Sequence, residues 1–401
     1  MMKFLSPQSP LFTYEEWKAA GFSERARLIC ETWGVQGFGA PPIINLFYFL
    51  KIAFYVWMWT WFASFSTDLG NMSEIGSWWF KPEALIKAIV WSMLFEGMGL
   101  GAGSGPLTAR YAPPFGGFLY FLRPKTVRIP FRPEWPLVGG DSRRWIDVIV
   151  YALHLIQLLR ILVAPEVTPA ILWPTVVILL TLGLLDRAAF LASRPEHFLT
   201  ALVCFLFPTD AIAGSKFVWF GIWFWAASSK LNRHFPGVIA AMVSNSATVT
   251  SPSLRKRLFR NYPDDMQPSR LTKNLAHFGT VTEYTFPLIL MFGAVLGGPI
   301  LFEFGTFWTI FGLAVMVCFH TFISSHFPLA VPLEWNVIMV YGGFVLFGAN
   351  ADVWAFSIQS PLLIVILLFA LVAMPLLGNL FPAYISFLLG MRYYAGNWPF
   401  G

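Results

Sequence analysis

Charge is what this chain has least of. Of its 401 residues, 12% are Asp, Glu, Lys or Arg, roughly half the share of an ordinary soluble domain. So little charge cannot keep a globule of this size in water, and a soluble enzyme is excluded. Cysteine is nearly as scarce. Cys30, Cys204 and Cys318 stand apart, with no CxxC or metal-ligand spacing, so no disulfide or metal site is assigned. The six histidines form no HxxxH box such as a di-iron membrane desaturase carries. No nucleophile elbow marks a Ser/His/Asp hydrolase. No tandem repeat, second domain or cleavable signal sequence is visible. The first forty residues are mixed and polar, and the first long apolar run opens near Pro42.

What the chain does have is apolar length. It is 57% hydrophobic and 18% aromatic, with a mean hydropathy of +0.63. The apolar residues come in runs near the ~20 that a helix needs to cross a ~30 Å hydrocarbon core. The alternating ten-residue segments of a closed barrel are missing. The fold class read from this is all-α: a polytopic helical membrane protein of about ten membrane segments, some short or broken. The formal charge of +6 does not point to nucleic acid, because the basic residues gather in particular loops, as membrane topology requires.

Residues 1–41 read as a cytoplasmic segment with an interfacial helix. Thr13-Tyr-Glu-Glu16 fits a capping box, and Trp17, Ala20 and Phe22 suit the headgroup level as well as they suit a soluble cap. Residues 42–401 read as one transmembrane domain with basic cytoplasmic loops over 106–145 and 230–282. The expected spans are Pro42–Phe65, Ala84–Gly103, Ile146–Val163, Thr168–Leu185, Phe286–Phe302, Thr306–Ser325, Trp335–Phe347 and Leu362–Leu389, with two more between His197 and Ser229. Charge bias requires that last division. A single crossing there would leave Arg233, Arg255, Lys256, Arg257, Arg260, Arg270 and Lys273 outside, whereas a break at Pro208-Thr-Asp210 returns them to the cytoplasm. Pro375, Gly378 and Pro382 are placed to kink the last span. In the 106–145 loop, Arg123, Lys125, Arg128, Arg132, Arg143 and Arg144 are expected on anionic headgroups, and the apolar patch Pro113–Leu122 at the interface.

The glycine run after Glu96, EGMGLGAGSGP, ends a hydrophobic helix rather than joining a strand to a helix. It therefore reads as close packing, with Gly97 and Gly101 or Gly99 and Gly103 four apart, and not as a phosphate loop. Glu96 at membrane depth needs a partner or a task; Lys51, Arg160 and Lys230 are all available. The stretch Lys216–Asn232, KFVWFGIWFWAASSKLN, is aromatic throughout and closes on Lys230. That amine is either a snorkelling anchor or, desolvated among apolar side chains, a base. Asp186-Arg187 reads as a local ion pair or as site lining. His320 and His326, six apart, do not share a ligand on a helix. Asn350 and Asp352 suit a turn.

Two resemblances follow from quoted stretches. GFGAPPIINLFYFLKI (37–52), SMLFEGMGLGAGSGPLTARYAPP (92–114), LYFLRPKTVRIP (119–130) and the C-terminal MRYYAGNWPF resemble a family of bacterial transmembrane proteins of unknown function. Members of that family run beyond this C-terminus, which implies a truncated or short variant. Three further patches, LDR to HFL (185–199), WAASSKLN (225–232) and FHTFISSHF (319–327), are similar in order to signatures of the horizontally transferred transmembrane domain of the vitamin K-dependent gamma-carboxylase superfamily. That resemblance implies Lys230 as a base acting on a quinone or hydroquinone and His197 as its helper. Asp186, Glu96, His320 and Trp225 would stand around the pocket. Two departures count against protein carboxylation: Ala226-Ala-Ser replaces the small-Gly pattern before the lysine, and no large extramembrane domain is present to hold a protein substrate.

Two readings result. One is a membrane-embedded enzyme of carboxylase-like architecture whose pocket takes a quinone or lipid-like molecule. The other is a non-enzymatic accessory or lipid-, quinone- or pigment-binding subunit of a larger membrane complex. A transporter has less support, for want of repeated halves. Expected partners are membrane lipids and other membrane subunits, not nucleic acid. The expected location is the bacterial inner membrane, multi-pass, with both termini cytoplasmic.

Overall fold

The computed structural model describes residues 2–37, 39–101, 117–246, 248–297, 305–326 and 333–381. These residues are predominantly helical. Ahead of the bundle lie α1 (Tyr14–Ala19) and α2 (Phe22–Gln36). The bundle then runs through α3 (Ile43–Ala63), α4 (Pro82–Gly97), α5 (Trp145–Val163), α6 (Pro169–Leu185), α7 (Arg187–Ala192), α8 (Pro195–Cys204) and α9 (Ala211–Ser228). After α10 (Phe235–Ser244) and α11 (Pro252–Lys256) comes a hairpin of β1 (Phe259–Asn261) and β2 (Asp265–Pro268). The chain closes with α12 (Arg270–Leu296), α13 (Phe307–Ser325), α14 (Leu333–Gly343) and α15 (Pro361–Leu368).

Local chemistry sets many of the boundaries. α4, α6, α8 and α15 each have proline in the first turn, where its missing N–H costs nothing. Ser269, Thr306 and Ser360 cap α12, α13 and α15 through their hydroxyls. The Thr13/Glu16 capping box is present. α12 stops at Gly297, whose φ of 73° is left-handed and suits glycine. Both α14 and α15 pass into π-turns, Phe344–Ala349 and Phe369–Ala373.

Among the described residues, five helical runs are long and apolar enough to cross a membrane by length and composition: Ile43–Ala63, Trp145–Val163, Arg270–Leu296, Phe307–Ser325 and Pro361–Gly378. The expectation of about ten segments also counted shorter helices, among them Pro169–Leu185 and Glu334–Ala349. α8 and α9 are separated over 205–210, a break that includes Pro208-Thr-Asp210. Several expectations reach outside the described residues: Gly103, the start of the 106–145 loop with that of the Pro113–Leu122 patch, the end of Phe286–Phe302, Phe327 of the FHTFISSHF patch, and everything after Phe381, including Pro382 and MRYYAGNWPF.

The 230–282 loop contains α10, α11, the hairpin and the first turns of α12, so the helix of the expected Phe286–Phe302 span begins at Arg270. Those turns carry Lys273, His277 and Glu283, so hydropathy hides them, although they share one continuous helix with the apolar part. Phe235, Ile239, Val243, Leu258 and Ala276 form a small apolar cluster of their own. α2 packs against α10 and α11, which puts the N-terminal segment and this region on one face of the bundle.

The main core is aromatic. Trp59, Trp78, Trp91, Trp219, Trp223 and Trp335 are buried in it, while Phe47, Phe49 and Trp57 of α3 point outward. Buried cations are a second feature. Lys87 donates to the carbonyls of Phe62, Leu162 and Ala164 at 3.1, 3.1 and 3.0 Å. Arg128 reaches Leu185 O at 2.9 Å. Arg255 reaches Val35 O at 2.8 Å and Ser246 O at 3.0 Å. These oxygens lie at or just beyond the C-terminal ends of α3, α5, α6, α2 and α10, where carbonyls lack helical partners and the dipole end is negative.

The arginines of the 117–145 region depart from expectation for the same reason. Arg128 and Arg143 are buried rather than laid on headgroups. Arg128 pairs with Asp147 at 3.0 Å, and Arg143 pairs with Asp186.

Candidate functional site

α9 has two faces with different chemistry. Lys216, Trp219, Trp223 and, just past its end, Lys230 recur at three-, four- and seven-residue steps, which on a helix fall on one side. All four meet partners inside the bundle. Lys216 Nζ donates to the Asn350 carbonyl at 2.8 Å and to that of Val353. Trp219 Nε1 donates to Met339 O at 3.2 Å. Trp223 Nε1 donates to His320 Nε2 at 3.0 Å. Lys230 forms an ion pair with Glu283 of α12 and lies 5.8 Å from the centroid of the Phe319 ring.

His320 is fully engaged by this arrangement. Because Nε2 accepts from Trp223, Nδ1 carries the proton and donates to Asn336 Oδ1 at 2.7 Å. The ring is therefore a fixed neutral spacer, with no lone pair left for base chemistry. Lys230 is likewise committed. Its side chain is 20% exposed and that of Glu283 4%, so the ammonium neutralises a carboxylate that would otherwise be buried alone.

A second group gathers on the first turn of α14. Three consecutive residues there bind three different helices. Glu334 takes Lys51 of α3 at 3.2 Å, Asn336 takes His320 of α13, and the Trp335 ring lies 4.4 Å from that of His197 on α8. The Arg194 guanidinium stands 5.3 Å from the same indole and donates from Nε to Glu96 Oε1 at 3.1 Å. Glu96 thus finds Arg194, and not Lys51, Arg160 or Lys230. Arg194 precedes α8 with φ 48° and ψ 52°, a left-handed conformation that costs a non-glycine residue about 1–2 kcal/mol. His197 Nδ1 lies 3.7 Å from Glu196 Oε1.

Asp186 serves structure in the same way. It caps α7 by accepting from Ala188 N at 3.1 Å, accepts from Ile129 N at 3.3 Å, and pairs with Arg143 rather than with adjacent Arg187. Gly97 is needed for space, since a Cβ there would come within 2.6 Å of Ser193 Oγ. At Gly101 the obstacle would be the Glu96 carboxylate itself.

The other face of α9 is apolar. Phe217, Phe220, Gly221, Phe224 and Trp225 line a cavity of about 590 Å³, closed on its far side by Phe356, Ile358, Ile364, Leu367, Leu368, Leu371, Val372 and Leu376. Trp225 belongs to this lining and donates its Nε1–H to Leu371 O at 2.7 Å. Of Lys230, His197, Asp186, Glu96, His320 and Trp225, it alone is part of that lining. Among the described residues no group of three or more His, Cys, Asp or Glu side chains is placed to hold a metal ion.

Reading the sequence missed Lys87, Glu283, Arg194 as a partner, and the Glu334-Trp-Asn336 turn. A visible signal existed for Glu283, an isolated carboxylate just before the apolar run FPLILMF. No curated protein and no solved structure matches the chain. The profile of the family described as "Transmembrane protein of unknown function (DUF3556)" matches residues 2–401, and the chain belongs to that family.

Proposed function

We propose that this chain is a non-enzymatic membrane protein that holds the hydrocarbon tail of a lipid-like molecule against the outer face of α9. The observation that carries the reading is the cavity of about 590 Å³, which is apolar on every side and within the ~300–1,000 Å³ usual for ligand pockets. One wall belongs to Pro361–Gly378, the most apolar of the span-length helical runs among the described residues. Leu368 and Val372 in that wall are exposed, so the cavity opens toward hydrocarbon, where alkyl and isoprenoid chains are the available occupants. A quinone ring fits less well, because its carbonyls need donors and the Trp225 N–H is already given to Leu371. Selectivity then rests on shape and packing, since lipid-to-protein transfer carries no hydrophobic gain.

The carboxylase-like reading, with Lys230 as base and His197 as helper, rests on three sequence patches. It also requires the Lys230–Glu283 pair to give up its proton. Cytoplasmic termini are read from charge bias and residence in a bacterial inner membrane from the first family resemblance; both belong to the same proposal.

The test is mass spectrometry of lipids and quinones retained by purified protein. Val372→Trp, which fills the cavity from an exposed position, is expected to lose a retained species that wild type and Lys230→Ala keep. Identical lipid content in all three proteins would overturn the reading. Loss in Lys230→Ala with retention in Val372→Trp would favour the Lys230 site instead.

A further inference from the structure

We infer that a phosphate-bearing anion, in the first instance a phospholipid headgroup, binds in a polar pocket between the N-terminal segment and α11. Two adjoining cavities of about 230 and 340 Å³ share Gln8, Gln36, Thr250 and Arg255 in their walls, and the second adds Lys256 and Tyr262. Among the described residues no carboxylate lines either cavity, and the only charged side chains in the walls are the two cations.

Arg255 gives the pocket its character. Its residue is 6% exposed, and its Nε, Nη1 and Nη2 each donate to one carbonyl: Val249 at 2.7 Å, Val35 at 2.8 Å and Ser246 at 3.0 Å. A guanidinium has five N–H groups, so one remains on each terminal nitrogen. Among the described residues Arg255 meets no carboxylate, and its charge is offset by carbonyl dipoles alone. Burial pulls its pKa below the ordinary value, yet a guanidinium stays charged at any working pH. A buried, un-neutralised guanidinium facing a cavity favours an anion, and phosphate oxygens suit its planar donors. Lys256 is exposed at the rim, with Nζ 5.1 Å from the centroid of the Tyr262 ring.

The depth of the pocket indicates the source of the anion. Pro41, Pro42, Ile44 and Asn45 line the first cavity, and the first span-length helix begins at Ile43. The pocket is therefore level with the start of a membrane helix, where headgroup phosphates lie. A soluble phosphate compound would present the same chemistry from the water side.

The test uses the full chain in detergent, with unfolding followed by tryptophan fluorescence. Sodium phosphate is compared with sodium chloride at matched ionic strength, and retained phospholipid is assayed in parallel. Phosphate should raise the wild-type melting temperature. Lys256→Glu, an exposed change that leaves the carbonyl contacts of Arg255 intact, should weaken the apparent phosphate affinity roughly tenfold. Arg255→Gln should remove the shift if it folds; Lys256→Glu decides the matter if it does not. A headgroup source predicts phospholipid retained by wild type and lost from Lys256→Glu. A free-phosphate source predicts the thermal shift without retained phospholipid. Equal phosphate shifts in wild type and Lys256→Glu, or neither a shift nor retained lipid in wild type, would overturn the inference.

Discussion

Replacing Lys87 with methionine tests the most unusual bond set in the core. The side chain is fully enclosed, and its ammonium serves three carbonyls, those of Phe62, Leu162 and Ala164. Methionine keeps the length and removes the donors. Phe62 O retains a contact from Phe65 N at 3.3 Å, so the loss falls on Leu162 and Ala164. A buried acceptor deprived of its donor costs about 1–3 kcal/mol, or about 2–6 kcal/mol for the two. Against this, the variant no longer buries a charge, which offsets part of the penalty. The net expectation is a destabilisation of about 2–3 kcal/mol. The assay is reversible unfolding in mixed micelles by titrated SDS, read by tryptophan fluorescence for wild type and Lys87→Met. A variant as stable as wild type, or more so, would refute the reasoning: the ends of α3 and α5 would then tolerate bare carbonyls, and the ammonium would be a net burden.

Arg143→Met should cost more, about 3–5 kcal/mol, because it strands the Asp186 carboxylate in the interior. Adding Asp186→Asn should recover part of that loss in the same assay. Engineered cysteines at Ser23 and Ser253, in a background lacking Cys30 and Cys318, should react with an impermeant maleimide from one side of the membrane, and cysteines at the exposed Thr209 and Glu166 from the other. Labelling of positions 209 and 253 from one side would contradict the α8–α9 division. Glu16 accepts from the Thr13 backbone N–H and hydroxyl, which lower its pKa from the ordinary 4.5. A depressed folded pKa means a contribution present above 4.5 and lost as pH falls through the lower, folded value. The Thr13 amide resonance should therefore shift with a midpoint below 4.5, and a midpoint at or above it would dissolve the capping box.

Much of the architecture was legible because it depends on local pattern. The capping box spans four residues, the proline starts are single positions, and apolar length is a matter of counting. The polar interior was not legible, because its bonds join distant parts of the chain. Arg143 and Asp186 are 43 residues apart, Lys230 and Glu283 53, Lys216 and the Asn350 carbonyl 134. Which of several charges pairs with Glu96 depends on helix neighbours, and hydropathy does not encode neighbours. The arginine-rich loop was misread for a related reason. Counting its cations was right, but two of them are drawn inward by Asp147, inside a segment read as a span, and by Asp186, read as the partner of adjacent Arg187 or as site lining. The hairpin at Phe259–Pro268 escaped because its strands of three and four residues are too short to show alternation. For the candidate site, Trp225 was placed with a ligand pocket from a resemblance, and it does line a cavity. Lys230, in the turn just past the end of that helix, pairs instead with Glu283 inside the bundle.

The contacts of Lys87 also bear on how the protein is made. One of its oxygens, Phe62 O, comes from the helix synthesised before it, but Ala164 O lies 77 residues further along the chain. Until that residue has left the ribosome the cage around the Lys87 ammonium is incomplete, and it closes only once α3, α4 and α5 have come together.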